Sequence, residues 1–190
     1  MTINRVFPNF ASGALEKSKE QGFTLIELMI SIALLAILLG LAAPSYRSFI
    51  TSNRLTAQAN ELVGDLTLAR NEAASRSRKV QVCIASSSST DASNASCAGS
   101  GNDWSAGWII WDPVAGTVIK YTDPRKLSGN ASMTASGPSD TSVLVYLPFG
   151  GHSSGNTWTF KLCSPGDTAG RTVTVPITGR AVAKRITTCP

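Results

Sequence analysis

The sequence predicts an α+β protein: a long N-terminal helix, membrane-spanning over its first half, packed on a mostly antiparallel β-sheet head. Three observations carry this. Residues Phe23 to Ala43 form an almost wholly apolar run, FTLIELMISIALLAILLGLAA. Leu55, Ala59, Leu62, Leu66, Ala69 and Ala73 then recur at steps of three and four, the period of a half-buried helix. After Lys79 the period falls to two: Val80, Val82 and Ile84 alternate with Gln81 and Cys83, as in a strand.

The apolar run has 21 residues, roughly 31 Å as a helix and about one bilayer core. A secretory signal peptide would have a shorter run with a small-residue cleavage site after it. Here the sharp break, Gly22 then Phe23, lies before the run. Glu27 stands inside it, where a carboxylate costs about 2.5–3.5 kcal/mol at mid-membrane, so it calls for a partner. Cleavage after Gly22 would create a free amine at Phe23. Glu27 of a neighbouring subunit can pair with that amine in a filament core and set the register of docking.

Pro44 removes one helical hydrogen bond and is expected to kink the axis. The helical pattern resumes after it, so the helix is expected from Phe23 to about Arg78, roughly 84 Å if fully helical. Gly64 weakens it slightly. Arg47, Arg54, Glu61, Asp65, Arg70 and Glu72 fall mostly outside the apolar stripe. Arg76, Arg78 and Lys79 close the helix, where cations complement its dipole.

In the head, residues 86–103 are polar and low in complexity and read as a loop. Gly107–Asp112 and Thr117–Tyr121 read as a hairpin turning through residues 113–116. A second loop, rich in Ser, Gly and Ala, is expected over 122–141. Further strands are expected at Ser142–Leu147, Thr157–Cys163 and Arg171–Ile177. A turn at Thr178-Gly179 leads into a last strand, Arg180 to Ile186.

Composition narrows the function. The charged fraction of 15% is low against about 25% for typical domains, which suits strands and polar loops and not a solvated helical bundle. The net charge is +5, and without residues 1–22 the chain keeps 14 basic and 10 acidic residues. That excess permits contact with nucleic acid or anionic lipid without arguing for it. The four cysteines, Cys83, Cys97, Cys163 and Cys189, contain no CxxC pair, which speaks against zinc, and their even number in an exported domain reads as two disulfides. Cys83–Cys97 and Cys163–Cys189 are the favoured pairs because each closes one local unit.

No catalytic constellation is present. The sole histidine, His152, sits in the Gly/Ser turn FGGHSSG and is expected to be solvated. There is no GxSxG elbow, P-loop or GxGxxG. No enzyme activity, cofactor or metal is expected. Trp104, Trp108, Trp111 and Trp158 read as core or loop anchors rather than a stacking surface. Arg180, Lys184 and Arg185 mark the last strand, where charge keeps an edge soluble. On a strand, residues 180 and 184 share one face and Arg185 points the other way.

Gly22-Phe23-Thr24-Leu25-Ile26-Glu27-Leu28 resembles the class III signal of type IV pilins and pseudopilins. The resemblance implies that a prepilin peptidase cuts after Gly22 and methylates Phe23, and that Glu27 serves subunit assembly. Pro44 resembles the helix-bending proline of that family. The head is similar to the GspH/FimT family of minor pilins and pseudopilins. Ala69-Arg70-Asn71-Glu72-Ala73, Trp104-Ser105-Ala106-Gly107-Trp108 and Thr178-Gly179-Arg180 before Cys189 carry the likeness. It implies a leader at 1–22, a transmembrane and filament-core helix at 23–50, and a periplasmic head at 51–190 on a single-pass protein of the bacterial inner membrane.

The implied partners are other pilins or pseudopilins and an inner-membrane assembly platform. The implied function is that of a structural minor pilin at low copy near the tip of a type IV pilus, aiding assembly. The alternatives are a pseudopilin of type II secretion and a DNA-binding minor pilin for uptake in transformation. Some FimT-type minor pilins bind DNA through a C-terminal GRxR motif. Gly179-Arg180 matches its first half, Val182 stands at the second Arg position, and Lys184 and Arg185 follow.

Overall fold

A computed structural model of the chain describes residues 22–86, 88–123, 131–166 and 168–189, apart from the side chains of residues 42–45. Residues 1–21 of the leader expected at 1–22, and the ring of Pro44 with the bend expected there, lie outside the described residues. Two compact units divide between Ala43 and Pro44.

In the first unit Thr24 opens helix α1 (Leu25–Ser75). Its Oγ1 accepts the amide of Glu27 at 3.3 Å, the bond of an N-cap. Every large apolar side chain from Leu25 to Leu41 is exposed. A helix apolar on all sides needs lipid or other apolar helices around it. Taken singly, no helix among the described residues is long and apolar enough to cross a membrane. Leu25–Leu41 with Tyr46–Ser75 passes together, by length and composition.

In the second unit the predicted stripe is the buried face of α1: Leu55, Ala59, Leu62, Leu66, Ala69 and Ala73 are each at most 1% exposed. The helix stops in a Schellman arrangement. Ser77 takes a positive φ of 51°, and the amides of Ser77 and Arg78 donate to Ala74 O and Ala73 O, both at 3.2 Å. Arg76 and Arg78 therefore lie beyond the helix rather than in its last turn.

The strands are β1 (Val80–Ile84), β2 (Trp108–Asp112), β3 (Thr117–Thr122), β4 (Ser132–Ser136), β5 (Val143–Tyr146), β6 (Trp158–Cys163), β7 (Gly170–Val175) and β8 (Val182–Ile186). Among the described residues they form two four-stranded sheets, β3-β2-β1-β5 and β4-β6-β7-β8, antiparallel throughout. The helix stripe and the inner faces of both sheets share one core. At its centre Trp104 meets Phe160 edge-on at 5.0 Å between ring centroids, and Trp158 stacks on Phe160 at 5.7 Å. Trp104, Trp108 and Trp158 are fully buried, so they offer no stacking surface.

Two loop segments explain why the strands split into two sheets. Residues 102–105 bond along β4, with the Trp104 amide donating to Met133 O at 2.7 Å and Ala135 to Asn102 O at 2.8 Å. Residues 151–153 bond along β5, with Ser153 donating to Val145 O at 3.0 Å. These loops occupy the inner edges, and an occupied edge takes no further strand. Strand β4 itself corrects the expected loop over 122–141. Its SMTAS sequence has weak β preference, but Met133 and Ala135 alternate into the core against β6. Disulfides join Cys83 to Cys97 and Cys163 to Cys189, with Cα atoms 5.6 Å and 5.7 Å apart.

Among the described residues two acidic side chains, Asp65 and Asp112, are buried. Asp65 belongs to the core side of α1 and not to the solvent side expected for it; it is 3% exposed. It accepts the Trp108 indole N–H at 2.9 Å, Lys120 Nζ at 2.6 Å and Thr122 Oγ1 at 2.6 Å. Asp112 accepts Arg76 Nη1 at 2.9 Å, Arg78 Nη2 at 2.6 Å and the amides of Val114 at 3.1 Å and Ala115 at 3.0 Å. So the cations read as helix-end charges bind the head of the β2–β3 hairpin.

The Ala115 amide, then Arg76, the Val114 amide and Arg78, hold the Asp112 carboxyl below its ordinary 3.8, against the desolvation that opposes them. The Ser142 hydroxyl and amide depress Asp140 likewise. A carboxyl depressed in the folded state stabilises the fold above its unfolded value and stops doing so as pH falls through the folded one. Glu61, raised above 4.5 by burial and then by Asp65, acts with the opposite sign and loses its contribution as pH rises through that range. The melting temperature is therefore expected to fall once pH drops below about 4. Asp112→Asn should flatten this acid limb. A limb of unchanged steepness in that variant would show that Asp112 does not drive it.

Candidate assembly and anion-binding surfaces

The first candidate surface is the start of α1. Phe23 is 84% exposed, and nothing lies within 4 Å of where a side chain on Gly22 would begin. Glu27 uses its backbone locally: its amide bonds Thr24 and its carbonyl accepts the Ser31 hydroxyl at 2.7 Å. Among the described residues its carboxylate has no partner. An acid surrounded by exposed Leu, Ile and Met calls for a counter-charge.

The second is the C-terminal tail. Arg180 is exposed in the turn ahead of β8, not on the strand. Ala181, just ahead of β8, and Ala183 within it line up toward the core. Arg185 shares their side and lines a cleft with Ser48, Phe49, Ser52 and Ala169. Lys184 projects to the other face. There it falls in one row with Thr172, Lys161 and Thr134 across all four strands. Lys184 and Arg185 thus face opposite sides, as strand alternation predicts, and Lys184 shares its row with Lys161, which no sequence pattern marks out. Only strand register could have found that row.

The turn carrying Arg180 is fastened to the Gly150–His152 segment and to Tyr146. Gly179 has φ +78°, and a Cβ there would strike Gly150 O and lie 3.1 Å from the Tyr146 ring. Arg70 Nε donates to the same Gly150 O at 2.8 Å. Tyr146 Oη donates to Gly179 O at 3.3 Å, and burial pushes its phenol well above the ordinary range. Arg70, from the Ala69–Ala73 motif, and Gly179 therefore meet across Gly150, although they lie far apart in sequence.

His152, expected in solvent, is 4% exposed. Its Nε2 lies 3.3 Å from Val175 O and its Nδ1 3.0 Å from Ser154 Oγ. The Gly-rich turn that suggested exposure folds onto β7 instead. Gly179→Ala combines left-handed backbone strain with a backbone collision, and is expected to destabilise the head by about 2–4 kcal/mol. Thermal denaturation checks this, and a melting temperature equal to wild type would refute the contact.

An apolar helix capped by Thr24, whose Glu27 carboxylate has no partner among the described residues, and a helix-on-sheet head held by two disulfides define a protein of the pilin kind. The prokaryotic N-terminal methylation motif matches residues 17–43. The chain belongs to the GspH family (Type II transport protein GspH), whose model matches residues 58–179. The Type IV major alpha-pilin and Fimbrial protein Q of Moraxella bovis are each 44% identical to it over 48 residues, 25% of this chain. That stretch covers 30% and 31% of those proteins, so the chain spans under a third of the curated relatives it matches.

Two crystal structures of the type IV minor pilin FimU from Pseudomonas aeruginosa share the fold. They have TM-scores of 0.52 and 0.53 and identities of 21% and 24%, covering 71% and 73% of this chain and 99% and 96% of theirs.

Proposed function

We propose that this protein is a structural minor pilin, cut after Gly22 by a prepilin peptidase, methylated at Phe23, and passed by an inner-membrane assembly platform into a filament near its tip. The head lies in the periplasm before assembly. The role is structural rather than catalytic. The observation that carries this reading is the exposed apolar run of α1, whose one carboxylate, Glu27, has no partner among the described residues. The domain limits 1–22, 23–50 and 51–190 belong to the same reading. Its test is the fate of Glu27→Ala in cells, argued in the Discussion.

A pseudopilin of type II secretion would share every one of these features. Neighbouring genes separate the two: other minor pilins favour the pilus, and a secretin–ATPase cluster favours secretion.

A second reading, DNA capture by the filament tip, has an observation of its own. Residues 141–190 hold five cations, Lys161, Arg171, Arg180, Lys184 and Arg185, against one acid, Asp167. Arg180 and Lys184 are exposed and make no ion pair among the described residues. Neutralising two or three phosphates gives weak binding that weakens further with salt. Titration of the full chain in detergent with duplex DNA should show this, with a shallower salt slope in Arg180→Ala plus Lys184→Ala. Salt-independent binding, or an unchanged slope in the double variant, would rule the surface out.

A further inference from the structure

We propose that the cleft between α1 and the β7–β8 corner binds the headgroup of an anionic phospholipid. The cleft is lined by Ser48, Phe49, Ser52, Ala169 and Arg185. Arg171 and Arg185 stand directly opposite each other in the β7–β8 pair, and like charges so placed repel. Neither forms an ion pair with a carboxylate among the described residues. Arg171 is held by neutral acceptors only: Thr56 Oγ1 at 2.8 Å and 3.1 Å, Ser52 Oγ at 3.1 Å and Gly170 O at 3.0 Å. Arg185 makes no hydrogen bond among the described residues. Two guanidinium groups with no carboxylate partner among the described residues, one fixed and one free to fork, match a phosphate or phosphodiester.

The place of the cleft in the chain selects the source of that anion. Ser48 follows the last residue of the apolar run by five positions. Five residues rise roughly 7.5 Å as helix and reach at most about 18 Å in any conformation. A membrane holding the run therefore brings its headgroups within reach of this cleft. Tyr46, two positions before Ser48, and the cleft residue Phe49 are both exposed, and tyrosine is a residue type that settles at the membrane–water interface. Each Lys or Arg near an anionic surface contributes enough attraction to change affinity about fivefold. The inference rests on the membrane anchorage of the chain and not on its place in a pilus.

The test uses the full chain, labelled with 15N-arginine, in neutral maltoside micelles. Phosphatidylglycerol is titrated in while the arginine Nε–H resonances are followed. Saturable shifts of Arg171 and Arg185, small with phosphatidylcholine, are expected. Arg185→Gln should raise the midpoint about fivefold, and Arg185→Lys should restore most of the loss. Ala169→Asp, which puts a carboxylate into the cleft, should abolish the response.

Arg185 anchors nothing in the fold, so its variants should melt as wild type does. They carry the test even if Ala169→Asp fails to fold. Equal shifts with phosphatidylcholine, an equal response to inorganic phosphate, or an unchanged midpoint in Arg185→Gln would overturn the proposal. So would shifts with duplex DNA but none with lipid, which would reassign the cleft to nucleic acid. Filament incorporation is not read in this experiment, so its failure leaves the pilin reading standing.

Discussion

Glu27→Ala should remain in the membrane and disappear from the filament. Removing a carboxylate from an apolar segment makes insertion easier, by about 2.5–3.5 kcal/mol at the bilayer centre. Docking moves the other way. If the amine created at Phe23 meets Glu27 of the adjacent subunit in a core without water, deleting one partner strands the other charge. Breaking a buried pair in this way costs about 3–5 kcal/mol, a loss of a hundredfold or more in the docking equilibrium.

The N-cap survives, because Thr24 bonds the backbone of residue 27 and not its side chain. The variant should therefore be helical, processed and membrane-bound. Fractionation of sheared filaments against membranes reads the outcome. Undiminished recovery in the filament fraction would remove Glu27 from assembly.

The second large effect concerns stability. Asp65→Ala should lower the stability of the head by about 3–5 kcal/mol, or about 6–20 °C in melting temperature for a domain of this size. The carboxylate serves three donors from β2 and β3: Trp108, Lys120 and Thr122. Without it the buried indole N–H and hydroxyl lose their acceptor, and Lys120 loses its counter-charge. Asp65→Asn keeps the shape and one oxygen and should cost less.

Adding Lys120→Met to Asp65→Ala should recover part of the loss, because the stranded cation is gone. The recovery is partial, since the Lys120 side chain is 40% exposed and can reach water. Near-ultraviolet circular dichroism of the tryptophans follows the unfolding. A shift within about 2 °C of wild type would mean that the three donors find water instead.

These effects differ in how visible they are in the sequence. Glu27 stands out because its setting is local: one acid in a run of apolar residues, just after a Gly–Phe break. The stripe from Leu55 to Ala73 was legible for the same reason, since helical period depends on neighbours three and four positions away. Asp65 was not. It sits beside that stripe with other charges, and its donors come from 43 to 57 positions further along.

Strand β4 was missed because Ser, Thr and Ala announce nothing until Met133 and Ala135 find the core across from β6. His152 was placed in solvent because a Gly/Ser turn resembles a free loop. It is buried because Gly150 is clamped between Arg70 and Gly179.

The sequence alone determined the helix, the signal at Gly22 and Phe23, the isolated Glu27, the stripe that buries α1, and the strand-rich character of the head. All of these are written in short-range pattern. Only the tertiary structure decided the division into two sheets, the burial of Asp65 and Asp112, and the row that Lys184 shares with Lys161. Each depends on register and pairing between distant segments. Such contacts form only when many weak terms act together, so no single stretch of sequence contains them.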